Sequence, residues 1–182
     1  MNINAKPILG VSSCLLGEAV RYDGTDKYAG TLVEHLSAHF ELRGFCPEVA
    51  IGLGIPRETI ELVASDSGEI RCLGTQTAEL DVSTPLRASV VKRQAEFSEL
   101  SGYLVKARSP SCGLGSTPLY GAGPPGKRKL VGYSSGLFTA SLSEYFPNLP
   151  IAQEDNLADA LMLETFVARI KNYYHYHKHI EH

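Results

Sequence analysis

Three times along this chain a short apolar run with the pattern of a buried strand ends near a cysteine and breaks into loop residues. Ile8-Leu9-Gly10-Val11 precedes Cys14, and Phe40-Glu41-Leu42 precedes Cys46 in Phe45-Cys46-Pro47-Glu48. Tyr103-Leu104-Val105 precedes Cys112 in Ser109-Pro110-Ser111-Cys112-Gly113. A parallel sheet gathers the carboxyl ends of its strands on one edge, where open α/β folds bind their ligands. The repetition therefore predicts an α/β fold, Rossmann-like and three-layered, with a mostly parallel sheet. Its cysteines sit at strand carboxyl ends, and we expect them to form one metal site.

The segments between these runs suit that architecture. Leu32, Leu36 and Phe40 recur at helical spacing and predict a crossover helix over 31–40. Two β-prone runs, Thr59 to Ala64 and Glu69 to Leu73, flank Ser65-Asp66-Ser67-Gly68 and predict a hairpin. Cys72 falls in its second run, away from the three strand ends. From Thr84-Pro85 a long helix is expected, capped by Ser83 or Thr84, with Leu86, Val90 and Phe97 on one face and its stop near Ser101-Gly102. Gly136 to Phe146 reads as a further helix and Ile151 to Gln153 as a short strand. Leu163, Phe166, Val167 and Ile170 form the stripe of a terminal helix. We expect one catalytic domain over 1–172 and a His/Tyr-rich tail over 173–182.

At 182 residues the chain is long enough to bury a full core without disulfides. A net charge of −3 gives no global field for a polyanion, so a small-molecule partner is expected rather than nucleic acid. The opening residues lack the build of a signal peptide, and no apolar run approaches membrane-spanning length. A cytoplasmic protein is expected, whose four cysteines are reduced thiols.

Several residues are candidates for chemistry. Pro47 cannot continue a central ladder and keeps Cys46 extended, so Cys46 and Glu48 can face one pocket. Arg21 and Asp23, in Arg21-Tyr22-Asp23-Gly24, are charged residues close to the expected site and candidates for substrate contact. A solvated Arg-Asp pair is the plainer reading of the two. Lys127 and Arg128 lie in a loop rich in glycine and proline, Gly121 to Lys129, where they could hold a phosphate or merely decorate a loop tip. The cysteines themselves could be small buried hydrophobes.

Taken together, Cys14-Leu15-Leu16-Gly17 with Arg21-Tyr22-Asp23-Gly24, Phe45-Cys46-Pro47-Glu48 with Gly52-Leu53-Gly54-Ile55-Pro56-Arg57, and Ser109-Pro110-Ser111-Cys112-Gly113 resemble the DUF523 family, the TudS-type thiouracil desulfidases. The likeness runs from about Ile8 to about Ile170. It implies an α/β enzyme in which Cys14, Cys46 and Cys112 hold a [4Fe-4S] cluster. It also implies removal of sulfur from a thiolated pyrimidine, 4-thiouracil or its nucleoside or nucleotide, without net redox chemistry. By the same resemblance Glu48, Ser109 and Ser111 are the acid-base and positioning candidates. Ile55 departs from the pattern, standing where threonine is expected. Two other readings remain open: three thiolates and a water could bind zinc in a hydrolase with Glu48 as base, or the thiols could serve a non-catalytic redox-sensing module.

Overall fold

The computed structural model describes residues 6–77 and 79–180. The expectations about the opening residues and the last two of the tail fall outside that range. In chain order, β1 (Ile8–Ser12) passes through a turn of 3-10 helix (Ser13–Leu16) and α1 (Gly30–His39) to β2 (Glu41–Phe45) and the short α2 (Pro47–Ala50). A hairpin of β3 (Ile60–Ala64) and β4 (Ile70–Gly74) follows, then α3 (Ser83–Lys92), α4 (Gln94–Ser98) and β5 (Leu100–Val105). The chain continues through β6 (Thr117–Gly121), β7 (Leu130–Ser134), α5 (Leu137–Tyr145), β8 (Ile151–Gln153) and α6 (Ala160–Ile180).

The first sheet has the order β2-β1-β5-β8, every neighbouring pair parallel. Because strand side chains alternate between faces, successive residues of β5 serve opposite cores. Leu104 packs with Leu9 and Val11 of β1 against Leu36 of α1 and Phe166, Val167 and Ile170 of α6. Tyr103 and Val105 pack the other way, against Val90 of α3, Phe97 of α4, and Phe138 and Leu142 of α5. This is the expected α/β layering of helices over both faces of a parallel sheet. Two close approaches need glycine. A Cβ on Gly10 would sit 2.5 Å from the Tyr103 ring, and one on Gly102 would sit 2.7 Å from Ile170 of α6.

Register brings the strand ends level. Ser12 lies beside Phe45, and Val11 beside Leu104. The turns carrying Cys14 and Cys46, and the loop leading to Cys112, therefore leave one edge of the sheet. Chain order reverses about β1, whose neighbours β2 and β5 lie on opposite sides, and this is where such a sheet opens a crevice.

Four features differ from expectation. A second sheet, β4-β3-β6-β7, joins the hairpin over 60–74 to β6 and β7 through a parallel β3-β6 pairing. Its strands β6 and β7 gave no signal, since Pro118 and the Gly/Pro-rich connection between them mask the pattern. The long helix is divided at Arg93 into α3 and α4. Gly102 is no helix stop: it lies inside β5, all six residues of which are buried. Neither Ser83 nor Thr84 caps α3 by its side chain. Ser83 Oγ instead accepts the Cys72 N–H at 2.8 Å, while Asp81 Oδ1 accepts the Ser83 N–H at 2.9 Å. Residues 173–180 continue α6, with Tyr173 packed on the second core. Among the described residues no helix is long and apolar enough to cross a membrane.

Candidate active site

The three cysteine turns open into one cleft of about 370 Å³, lined by Cys14, Cys46 and Cys112 together with Glu48 and Ser109. Cys14 lies in the 3-10 turn after β1 and is half-buried. Cys46 occupies the cap position of α2, also half-buried. Pro47 does more than end the strand, for it starts α2, where its missing N–H leaves no bond unmade. Cys112 is buried in a loop braced from within. Ser109 Oγ accepts the N–H groups of Ser111 at 3.3 Å and Cys112 at 3.1 Å, and the Ser109 carbonyl accepts the Gly113 N–H at 2.8 Å. Thr139 of α5 donates its hydroxyl to the Cys112 carbonyl at 2.6 Å. Gln153, at the end of β8, accepts the Leu114 N–H at 3.3 Å and the Ser116 hydroxyl at 2.7 Å.

Among the described residues no cysteine is in a disulfide. Burial pushes the Cys14 thiol up to about 11, with the Cys46 charge adding to it. Burial likewise raises Cys46, and raises Cys112 further despite a hydrogen bond from Ser12. Burial thus disfavours the thiolate form of all three cysteines. Binding a metal group here must release protons, because thiolates are the ligands.

Glu48 sits in the first turn of α2 and is held from two sides. Arg57 Nε donates to Oε2 at 2.9 Å, and Ser111 Oγ donates to Oε1 at 2.7 Å. Arg57 is itself fixed, since Nη2 donates to the Val20 carbonyl at 2.8 Å and Nη1 to Gly54 at 3.1 Å. Sequence reasoning gave Arg57 no role. The signal was present in an arginine only nine residues from a site carboxylate. Ser111 is fully buried and touches Glu48 from behind the cleft wall, whereas Ser109 lines the cleft while bracing its own loop. Ile55 is exposed and outside the cleft lining.

The structure separates the four proposed substrate contacts. Arg21 lines the cleft, and its Nε is buried without a partner among the described residues. Asp23 is exposed and outside the lining, its carboxylate taken by the Thr25 hydroxyl at 2.6 Å and N–H at 3.1 Å. Lys127 and Arg128 do not line the cleft either. Arg128 points into the second sheet, donating to Glu61 at 2.8 Å and to the Gly74 carbonyl at 2.9 Å. It anchors its loop, and only 4% of its side chain is exposed. Besides Arg21 and Arg57, the cations that line the cleft are Lys27, Lys106 and Arg108. Lys106 is paired with Glu154, and Arg108, at φ 60°, lies 3.2 Å from Asp155. Nothing in their local sequence marks these residues: Lys106 and Arg108 come to the cleft because the end of β5 runs beside β1, and Lys27 because its N–H bonds the Cys14 carbonyl at 2.8 Å.

The span from Leu9 to Glu154, which carries every residue of this site named so far except the flanking Asp155, matches the family described as 2-thiouracil desulfurase over residues 9–154. The chain belongs to the 2-thiouracil desulfurase family. As a member of that desulfurase family it is an enzyme. Among solved structures it is similar to the "[4Fe-4S]-dependent thiouracil desulfidase TudS", with 31% identity and a TM-score of 0.62. The likeness covers 89% of this chain and 99% of that one. No curated protein matches the chain. The 2-thiouracil desulfurase match stops before α6, which contributes to the core behind the sheet rather than to the cleft.

Proposed function

We propose that the enzyme removes sulfur from a thiolated pyrimidine, releasing sulfide and the oxo-pyrimidine, with a [4Fe-4S] cluster held by Cys14, Cys46 and Cys112. The observation that carries this reading is the convergence of three free thiols and Glu48 on one parallel sheet edge. Their chemistry fits the cluster, since thiolates are the ligands such clusters take. When bound, a cluster with three protein ligands supplies an iron free to act as a soft Lewis acid toward a thiocarbonyl.

The chain's own residues supply the remainder. Water must give its oxygen to the ring carbon as the C–S bond breaks, the bonding pair leaving on sulfur, so no electrons are exchanged. Water is a weak nucleophile, and the Glu48 carboxylate at the cleft wall takes its proton. Arg57 and Ser111 fix both carboxylate oxygens, so Glu48 meets the water without first reorganising. Ser109 keeps the Cys112 loop in one shape. Arg21 and Lys27 have no ion pair among the described residues and supply positive charge for the phosphate of a nucleotide substrate.

The test is anaerobic reconstitution with iron and sulfide, followed by sulfide release from 2- and 4-thiouracil, their nucleosides and nucleotides, and thiolated tRNA. We expect a loaded protein that turns over a small 4-thiopyrimidine faster than tRNA. Preference for the 2-thio isomer would correct the position of attack; a loaded protein that releases sulfide from none of them would reject the reading.

A further inference from the structure

Tyr103 carries a polar atom in the wrong place for a purely structural residue. The side chain is wholly buried, with its ring against Gly10 and with Phe97 and Phe138 at centroid distances of 6.4 and 5.6 Å. Its hydroxyl has no hydrogen-bond partner among the described residues. A buried hydroxyl without a partner is unfavourable, and phenylalanine would fill the same space without that penalty. Tyr103 also shares its apolar cluster with Cys112. Burial holds the phenol well above its ordinary pKa, and Cys112, Cys46 and Cys14 would act in the same direction once they are thiolates. Tyr103 stands two residues before the carboxyl end of β5, packed in one cluster with Cys112 and outside the cleft lining.

We propose that the Tyr103 hydroxyl donates a hydrogen bond to a sulfur of the cluster site, cysteine thiolate or inorganic sulfide. This rests on the cluster reading above. The bond would give the orphaned hydroxyl its acceptor. Hydrogen bonds to cluster sulfurs draw electron density from the irons and favour the more negative, reduced state. Tyr103 is thus a positioning and tuning residue, which keeps the open iron acidic without touching substrate.

The experiment compares reconstituted holoprotein of wild type, Tyr103→Phe and Tyr103→3-fluorotyrosine, the last being a stronger donor of nearly the same size. The readouts are the cluster's midpoint potential and its Fe–S stretching bands in H₂O and D₂O. Tyr103→Phe should move the potential negative and lose part of the D₂O band displacement, whereas the fluorinated residue should move the potential positive. Shifts of the same sign in both variants, or none in either, overturn the inference. No shift is also the result expected if the hydroxyl bonds a water in the small cavity that Tyr103 itself lines with Gly10, Arg43 and Phe45. Should Tyr103→Phe fail to load, the fluorinated residue against wild type decides by itself. A wild-type protein that takes up no iron and sulfide overturns the cluster reading and this inference with it. A loaded wild type with a potential indifferent to position 103 overturns this inference alone.

Discussion

Arg57 and Glu48 meet as a nearly buried ion pair, with 8% and 15% of their side chains exposed and Nε 2.9 Å from Oε2. Ser111 takes the second carboxylate oxygen, so two residues from separate parts of the chain fix one acid. Glu48→Gln keeps the shape and removes the base. We expect a full complement of iron and sulfide, unimpaired substrate binding and a turnover lower by roughly 10²–10⁴-fold. Single-turnover sulfide release checks this, and near wild-type turnover would remove Glu48 from the mechanism.

The partner residue gives a separate outcome. Arg57→Gln leaves Glu48 buried without its cation, which costs about 3–5 kcal/mol when a buried pair is broken. Urea unfolding of Arg57→Gln, Glu48→Gln and the double variant measures the coupling. The double variant should recover part of the loss; strict additivity would mean the two side chains do not interact in solution.

Cys14→Ser, Cys46→Ser and Cys112→Ser should each fail to retain iron after reconstitution, whereas Cys72→Ala should keep it. Cys72 is fully buried in β4, within the core under the second sheet and outside the cleft lining. Iron and acid-labile sulfide analysis tells the cases apart. Iron retained by any one of the first three, or lost from the last, would redraw the ligand set.

At Gly102 the sheet and α6 leave no space for a side chain. A Cβ would lie 2.7 Å from Ile170 Cγ1 and 3.2 Å from the Pro150 carbonyl. Gly102→Ala should therefore cost about 1–3 kcal/mol through overpacking. Trimming the neighbour with Ile170→Val in the same chain should return some of it, as read from thermal unfolding.

These residues mark the limits of sequence reading. The parallel edge and its three cysteines were legible because buried strands and their loop breaks repeat in a period the chain displays openly. Gly102 misled because glycine after a helical stretch is a common stop, and only the packing of α6 shows that it is needed within a strand. Arg128 misled because a basic residue in a Gly/Pro-rich loop looks solvated, while its partner Glu61 comes from a strand far earlier in the chain. Lys106 depends on a long-range neighbour, Glu154, in the same way, whereas the partner of Arg57 lies only nine residues away. Pairing across the sheet, which no local pattern encodes, decides which charges face the cleft.

Asp81 supplies a pH dependence. Partial burial by itself would raise its carboxyl pKa, but hydrogen bonds from the Ser83 N–H and hydroxyl and from Arg71 outweigh it and lower the pKa below the ordinary 3.8. A carboxyl depressed in the folded state adds stability above its unfolded pKa and loses it as pH falls through the folded one. The difference in Tm between wild type and Asp81→Asn should thus be constant at neutral pH and shrink below about pH 4. A difference that grows on acidification would contradict the pairing.

The turns that carry Cys14, Cys46 and Cys112 hang from three strands that meet only when the parallel sheet is assembled. Cys14 and Cys46 leave the one β1-α1-β2 unit, but Cys112 joins them only through β5, from much later in the chain, so bound iron would act as a tie across the sheet. Its visible colour then becomes a gauge of global integrity. Bleaching in rising denaturant should track the collapse of the far-ultraviolet signal, and a batch that stays brown is a batch that is folded.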